Sequence, residues 1–206
     1  MEEAQRYFNT YYRPNNLVGV VVGDFNPIEV KAQIQSYFSR LERGTVTPPP
    51  VATLEMKQTV EKRMYAECDC QPQIEARYHT VPFNHLDSFP LEMMAEILNG
   101  RTGRLYKNLV EGKKIASSAS VAAGGLGAPS KYAGYFSFEG EIKGDAKPED
   151  LEDAWYEEVE KLAAEPVGER ELTKVKNQVA ANAYRRLQSN FFLLVQLGYY
   201  LSLIHI

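Results

Sequence analysis

Leu17-Val18-Gly19-Val20-Val21-Val22-Gly23-Asp24-Phe25-Asn26-Pro27-Ile28-Glu29-Val30 is the stretch around which the chain organises. Its first half is a continuous apolar run, mostly β-branched and bounded by turn residues. That pattern predicts a strand buried on both faces. Its second half is a helix start: Asn26 can cap, Pro27 suits the first helical position, and Glu29 can reach back as in a capping box. Ile28, Ile34, Tyr37 and Phe38 give the helix an apolar side, and it is expected to end within Ser39–Gly44. The same grammar, G-D-x-x-P-x-[DE]-[VL], returns at Gly144-Asp145-Ala146-Lys147-Pro148-Glu149-Asp150-Leu151, again where a strand passes into a helix. Glycine permits a sharp exit, an acidic or amide neighbour caps, and proline starts the helix. Two such turns read either as coincidence or as the mark of a duplicated unit.

Between the two copies lies Pro48-Pro49-Pro50, which favours an extended, semi-rigid polyproline segment. A linker is therefore expected over residues 45–56. Beyond it, Gln58 to Cys68 suits a strand. Gln73 to Val81 alternates, with Ile74, Ala76, Tyr78 and Thr80 on one side, as in a half-exposed strand. Ser88 to Gly100 predicts a helix with Leu91, Met94, Ile97 and Leu98 on its apolar side. Arg101 to Glu111 predicts a second, short helix with Leu105 and Leu109 one turn apart. Ile115 to Ala122 and Tyr132 to Ile142 predict strands. Pro148 opens a helix with Leu151, Trp155, Val159 and Leu162 at helical spacing, and another helix begins near Glu169. Strand pairs followed by helix pairs predict an α+β fold: duplicated two-layer domains whose antiparallel or mixed sheet is covered by helices on one face.

The 206 residues carry 23 basic and 27 acidic side chains, a formal charge of -4, and 44% hydrophobic residues, with a mean hydropathy of -0.37. Those values fit a globular protein and offer no general attraction to nucleic acid or anionic lipid. No apolar run approaches the roughly 18 residues that span a bilayer. Nor is a secretory signal core visible after Met1. Residues 1–13 read as the end of a helix without a capped start, so Met1 is expected to lie inside a longer reading frame. Leu201-Ser202-Leu203-Ile204-His205-Ile206 is what CTG TCT CTT ATA CAC ATC encodes, the transposon end used in library preparation. The natural sequence is then expected to stop near Tyr200, the alternative being an ordinary apolar helix end. His205 carries no functional weight on this account.

Chemistry-bearing residues are sparse. Cys68 and Cys70, two apart, read as packed thiols: on a strand a bridge between them is strained, and no second Cys or His pair completes a zinc site. His79 and His85 flank Pro82-Phe83-Asn84 and read as a polar strand face and a turn histidine rather than a metal pair. Residues 139–172 hold 13 acidic and 4 basic side chains, the signature of a solvated helix face. Gly124-Gly125-Leu126-Gly127 lacks the lysine and hydroxyl of a phosphate loop and reads as a connection between strands. Arg101, Arg104, Lys107, Lys113 and Lys114 form the most basic segment, read as helix-end charge. Ser117, Ser118 and Ser120 have no histidine and acid at a spacing that would activate them.

One set of motifs carries a family likeness. Tyr11-Tyr12-Arg13-Pro14-Asn15-Asn16, the apolar run and Gly23-Asp24-Phe25 resemble the end of the amino-terminal domain of pitrilysin/insulinase-type zinc peptidases. Pro72 to Asn84 and Leu98-Asn99-Gly100-Arg101-Thr102-Gly103-Arg104-Leu105-Tyr106-Lys107-Asn108-Leu109-Val110 resemble that family's second domain. The likeness extends to about Tyr200. It implies that residues 1–44 are the end of a first, zinc-bearing type of domain and 57–200 a second domain that binds no metal, which leaves 201–206 to the expected adapter translation. Such enzymes hold zinc through H-x-x-E-H on a helix of the first domain and a further glutamate downstream. The metal acidifies a water and the motif's glutamate acts as base. No histidine of this chain lies in such a motif, so the resemblance transfers no catalytic and no metal-binding residue. The substrate-holding Arg and Tyr of the family's non-zinc half fall on Val110 and Ser117, and neither type is kept. The resemblance thus implies the chamber-forming part of a zinc-dependent metalloendopeptidase acting on peptides or unfolded segments, with zinc only in the intact parent. The alternative is a non-catalytic structural or binding subunit of the same fold, akin to a processing-peptidase or core-protein partner. A second half or partner subunit of the same family is implied either way, as is a location in a bacterial periplasm or cytoplasm.

Overall fold

The computed structural model describes residues 1–50, 56–124, 131–132 and 134–204. The chain divides into two compact units, one gathering Met1–Glu67 with Asn190–Ser202, the other Cys68–Ser189 with the residues from Leu203 on, so that the closing helix (Asn190–Ile204) belongs to the first but for its last two residues.

The first unit holds α1 (Glu2–Tyr11), a 3₁₀ turn (Pro14–Asn16), α2 (Pro27–Phe38) and α6 (Asn190–Ile204). Asn26 caps α2 as its side chain allows: Oδ1 accepts the Ile28 N–H at 3.0 Å, while its amide donates to Glu29 Oε1 at 3.2 Å. A tether closes the segment from Asn15 to Gly44, whose N–H donates to Asn15 Oδ1 at 2.8 Å. The sequence predicts a buried strand at Leu17–Val22, and the structure corrects this. The run makes no strand, and Leu17 and Val21 are more than half exposed. β-branched residues favour extended backbone, but a strand exists only as a partner in a ladder. Among the described residues no ladder reaches this run.

The second unit contains the sheet. β1 (Gln73–Thr80), β2 (Ala116–Gly124) and β3 (Gly134–Ile142) lie in the order β1-β3-β2, all antiparallel. The fold is α+β, with the antiparallel form of the two sheet types the sequence allows. Ala76, Phe138 and Val121 stand opposite one another across the three strands. The rows on either side, Ile74–Gly140–Ala119 and Tyr78–Phe136–Ala123, continue the same face. Onto it pack α3 (Ser88–Leu98) and α4 (Pro148–Ala164). The core joins Leu98, Leu105, Leu109, Phe136, Phe138, Leu151 and Trp155. Trp155 stacks on Phe138 with ring centroids 4.5 Å apart and planes 8° apart, and its indole N–H donates to the Tyr78 hydroxyl at 2.9 Å. Gly140 lets α4 approach: a Cβ there would lie 2.9 Å from Leu151 Cδ2. α5 (Glu169–Leu187) lies against α3.

The strand predicted at Gln58–Cys68 is also absent, for the same want of a partner. Its loss corrects the cysteine reading too. The chain bends at Asp69–Cys70, bringing the Cα atoms of Cys68 and Cys70 to 5.3 Å, closer than the roughly 6.7 Å that two residues span on a strand. The two exposed cysteines are joined in a disulfide rather than packed as thiols. The two G-D-x-x-P turns share their proline and capping logic, but not their glycine. Gly144 needs its positive φ of 62°, and Gly23 lies outside that region. In the second copy, Asp150 accepts the Lys147 N–H at 2.9 Å. Most of the predicted loop at 123–129, part of the 45–56 linker, and His205 lie outside the described residues.

Candidate functional site

The Leu98–Val110 motif folds into a polar knot between α3 and β2. α3 ends at Leu98, and Asn99 reaches across to the sheet. Its amide donates to the Val121 carbonyl at 2.8 Å, and its Oδ1 accepts the Val121 N–H at 2.9 Å. The side chain thus replaces a ladder partner for one residue of edge strand β2 and fixes the loop against it. Gly103 is packed so tightly under this turn that a Cβ would lie 2.0 Å from the Asn99 carbonyl oxygen. The short helix predicted over 101–111 forms as a π-helical turn, Tyr106–Gly112. Its wider ring is closed by Lys113 N–H to the Asn108 carbonyl, 2.7 Å. Such turns are rare and concentrate where a fold presents function. At its exit Lys114 takes the left-handed region, φ 58°, which costs a non-glycine residue about 1 kcal/mol.

Two ion-pair systems hold the knot to α4 and α5. Arg104 binds Glu171 through both nitrogens, Nε at 3.1 Å and Nη2 at 2.7 Å, with both side chains largely shielded. The hydrogen bond from Arg104, aided by its charge and opposed by burial, holds the Glu171 carboxyl below the usual carboxylate range. The same contact raises Arg104. Glu158 is buried, and its Oε1 accepts from Asn108 at 2.9 Å and from Lys161 at 2.6 Å. Its Oε2 has no partner in the structure. The acidic stretch 139–172, read as a solvated face, therefore contributes two carboxylates to the framework.

Val110 and Ser117, the positions on which the resemblance sets the family's Arg and Tyr, lie on the π-helical turn and on β2. Val110, on the π-helical turn, packs against the core. Ser117 lies where β2 bulges out of register with β3, with its hydroxyl 3.1 Å from Glu141 Oε2. Neither side chain can donate a guanidinium or phenol to a bound peptide. His79 lies on β1. His85 sits in the turn before α3, where its Nδ1 accepts the Asp87 N–H at 3.2 Å. Ser118 and Ser120 follow on β2. Among the described residues no three His, Cys, Asp or Glu side chains gather as a metal site. The sequence reading missed the Asn99 bridge and the Glu158 network. An asparagine or glutamate in a polar stretch gives no sign that its partner lies 22 or 50 residues away.

The described residues of the second unit thus build a three-stranded antiparallel sheet under helices, the architecture of an α+β domain. The chain belongs to the family described as peptidase M16 inactive domain, which it matches over residues 1–179. This is the pitrilysin/insulinase-type likeness seen in the motifs. It is 25% identical over 123 residues to a zinc protease PqqE of Helicobacter pylori, covering 58% of this chain and 28% of that protein. A crystal structure of a protease from Helicobacter pylori superposes over the whole chain with a TM-score of 0.86 and 23% identity, matching 50% of that chain. A chain of complex III2 from Candida albicans, with Inz-5 bound, superposes with a TM-score of 0.73 and 16% identity, again over the whole chain and 49% of its own. The sequence thus spans half or less of the length of each of these three relatives. Among the described residues no helix is long and apolar enough to cross a membrane.

Proposed function

We propose that this chain is the non-metal part of a zinc-dependent metalloendopeptidase: the closing segment of a zinc-bearing domain (1–44), a linker (45–56) and a companion domain (57–200) that walls a peptide-enclosing chamber. On this reading no residue of the chain is catalytic or a metal ligand. Zinc belongs to the intact parent, held by residues outside this sequence. The observation that carries the reading is the match to an inactive peptidase domain over residues 1–179, beside a zinc protease relative. The companion domain's contribution is a rigid wall. The Asn99 bridge and the Arg104–Glu171 pair fix the turn that carries Val110 and the edge strand β2 that carries Ser117.

A second reading is favoured by Val110 and Ser117. With the clamp residues replaced, the chain also suits a non-catalytic partner subunit, and the likeness in fold to a chain of complex III2 agrees with that. The upstream reading frame separates the two. Joined to it, the chain is expected to show chelator-sensitive cleavage of an unfolded peptide. The 206-residue chain alone is expected to hold well under one zinc per chain and to cleave nothing. An upstream region with no H-x-x-E-H rejects the peptidase reading in favour of the partner subunit.

A further inference from the structure

β1 is an edge strand: the sheet order is β1-β3-β2, and among the described residues no strand lies beyond it. Which of its backbone groups face that edge is fixed at its start. The Ile142 N–H donates to the Pro72 carbonyl at 2.9 Å, and Pro72 stands opposite Ile142 in the register that pairs Gln73 with Glu141. Proline has no N–H to return, and the Gln71 side chain takes its place, donating to the Ile142 carbonyl at 2.6 Å. Hydrogen-bonded pairs alternate along an antiparallel ladder. Ile74, Ala76, Tyr78 and Thr80 therefore bond β3, and the N–H and C=O groups of Gln73, Glu75, Arg77 and His79 point to the open edge. On the far side of the sheet the Asn99 side chain answers the outward groups of Val121.

The sequence around Ala76 is its own complement. Two copies of β1 laid antiparallel about a two-fold axis at Ala76 bring Glu75 opposite Arg77 of the second copy, twice over. Gln73 and His79 meet in the same way outside them. These are the hydrogen-bonded pairs of the new ladder, so the outward backbone groups of one copy answer those of the other. On the helix-covered face Ile74 comes opposite Tyr78, and Ala76 opposite Ala76, which continues the apolar pattern across the axis. Shifting the axis by one residue either way sets Glu75 opposite Glu75 or Arg77 opposite Arg77, so charge selects this register. In the single copy Arg77 pairs with Glu75 of its own strand and lies over the Tyr135 ring, 5.0 Å from its centre. The pairing between copies exchanges one carboxylate for its equivalent and leaves no charge behind.

α4 supplies a matching second layer. Lys113 donates to Glu157 and Asn108 to Glu158, so that flank of α4 faces the π-helical turn and the β2 side of the sheet. Tyr156 and Val159, each 38% exposed, lie on the opposite flank, on the β1 side. α4 lies over both β1 and β3. With strands about 4.8 Å apart, an axis just outside β1 sets the two α4 helices about 10 Å apart, which is a helix-packing distance. We infer that β1 and this flank of α4 form an interface between two copies of this chain, joining two three-stranded sheets into one of six strands. All its residues lie in the second unit, so the interface stands without the peptidase reading.

Amide exchange at residue resolution, on the full 206-residue chain at about 1 µM and about 100 µM, tests this, because association through another surface leaves these amides untouched. The Glu75 and Arg77 amides should exchange freely in the dilute sample and slow about tenfold or more in the concentrated one. The Ala76 and Tyr78 amides, bonded to β3, should be protected in both. Glu75→Arg and Arg77→Glu each set like charges opposite one another and should lose the slowing. An equimolar mixture of those two variants sets Arg opposite Glu throughout and should recover it. Val159→Asp, with the β1 charges intact, should also weaken it. Protection at Ala76 and Tyr78 shows that a variant has folded, and the Val159 variant remains decisive if a charge reversal does not fold. Exchange at Glu75 and Arg77 that ignores concentration, single variants that slow as the parent does, or a mixture as fast as its components would overturn the interface.

Discussion

Arg104 and Glu171 are far apart in sequence, and their two parallel hydrogen bonds, 3.1 and 2.7 Å, tie the start of the π-helical turn to α5. A charged, bidentate and mostly shielded pair of this kind contributes about 1–2 kcal/mol, more than an exposed pair. Because Arg104 holds the Glu171 carboxyl below its usual range, the folded state binds that proton more weakly than the unfolded chain. The stabilisation is then complete above the unfolded carboxylate pKa of about 4.3 and is lost as pH falls through the lower folded value. Glu171→Gln should therefore cost about 1–2 kcal/mol in urea denaturation at pH 7, and the gap between variant and parent should close as pH falls below about 4. A gap that stays constant down to pH 3 would show that the carboxylate's charge is not what matters. The residue types in this pair were visible in the sequence as a basic segment and an acidic stretch. What could not be read was which charges meet, because charge composition carries no information about partners 67 residues apart.

At the scale of elements, the reading succeeds where an element is defined by its own sequence and fails where it is defined by a neighbour. α4 is legible: Pro148 starts it, and Leu151 and Trp155 fall one turn apart and are both buried. β3 is legible because Phe136, Phe138 and Ile142 alternate with partners on the far face. Leu17–Val22 has a stronger strand signature than β2, yet β2 is the strand. Its small residues Ala116, Ser118 and Ala119 find β3, and the β-branched run finds no partner strand among the described residues. The contact between α4 and the sheet centres on Trp155, the chain's single tryptophan, so its fluorescence reports that interface alone. Trp155→Phe keeps a ring against Phe138 and loses the bond to the Tyr78 hydroxyl, a loss of about 1 kcal/mol because Tyr78 can turn to water. Trp155→Ala empties the centre of the core and should cost about 3–5 kcal/mol by urea denaturation followed with circular dichroism. A cost under about 1 kcal/mol for the alanine variant would mean that α4 is not what closes the sheet.

At the scale of the molecule, the two units differ in how much they bury. In the second, the sheet and its helices enclose a continuous core. In the first, none of α1, the 3₁₀ turn or α2 has a buried residue, and Ile28, Tyr37 and Phe38 on α2 are 81%, 70% and 60% exposed. Phe191 and Phe192 on α6 are likewise exposed. Apolar surface on this scale marks a face that another body covers, and a β-branched run that joins no ladder among the described residues marks a strand awaiting a sheet. The proposed parent supplies both in one partner, the domain whose closing segment is residues 1–44. Without it, the 206-residue chain is expected to self-associate with rising concentration in sedimentation velocity. The amides of Leu17–Val22 should then exchange quickly with solvent while those of β1 and β3 stay protected. Adding the upstream segment as a separate polypeptide should give a one-to-one complex in which the Leu17–Val22 amides slow by at least about tenfold. Val20→Pro, which removes a backbone donor from the centre of that run, should abolish the complex and leave the protection of β1 and β3 unchanged. If the chain alone is monomeric and its Leu17–Val22 amides are already protected, the run pairs within the chain itself, and residues 1–44 are not the missing edge of another domain.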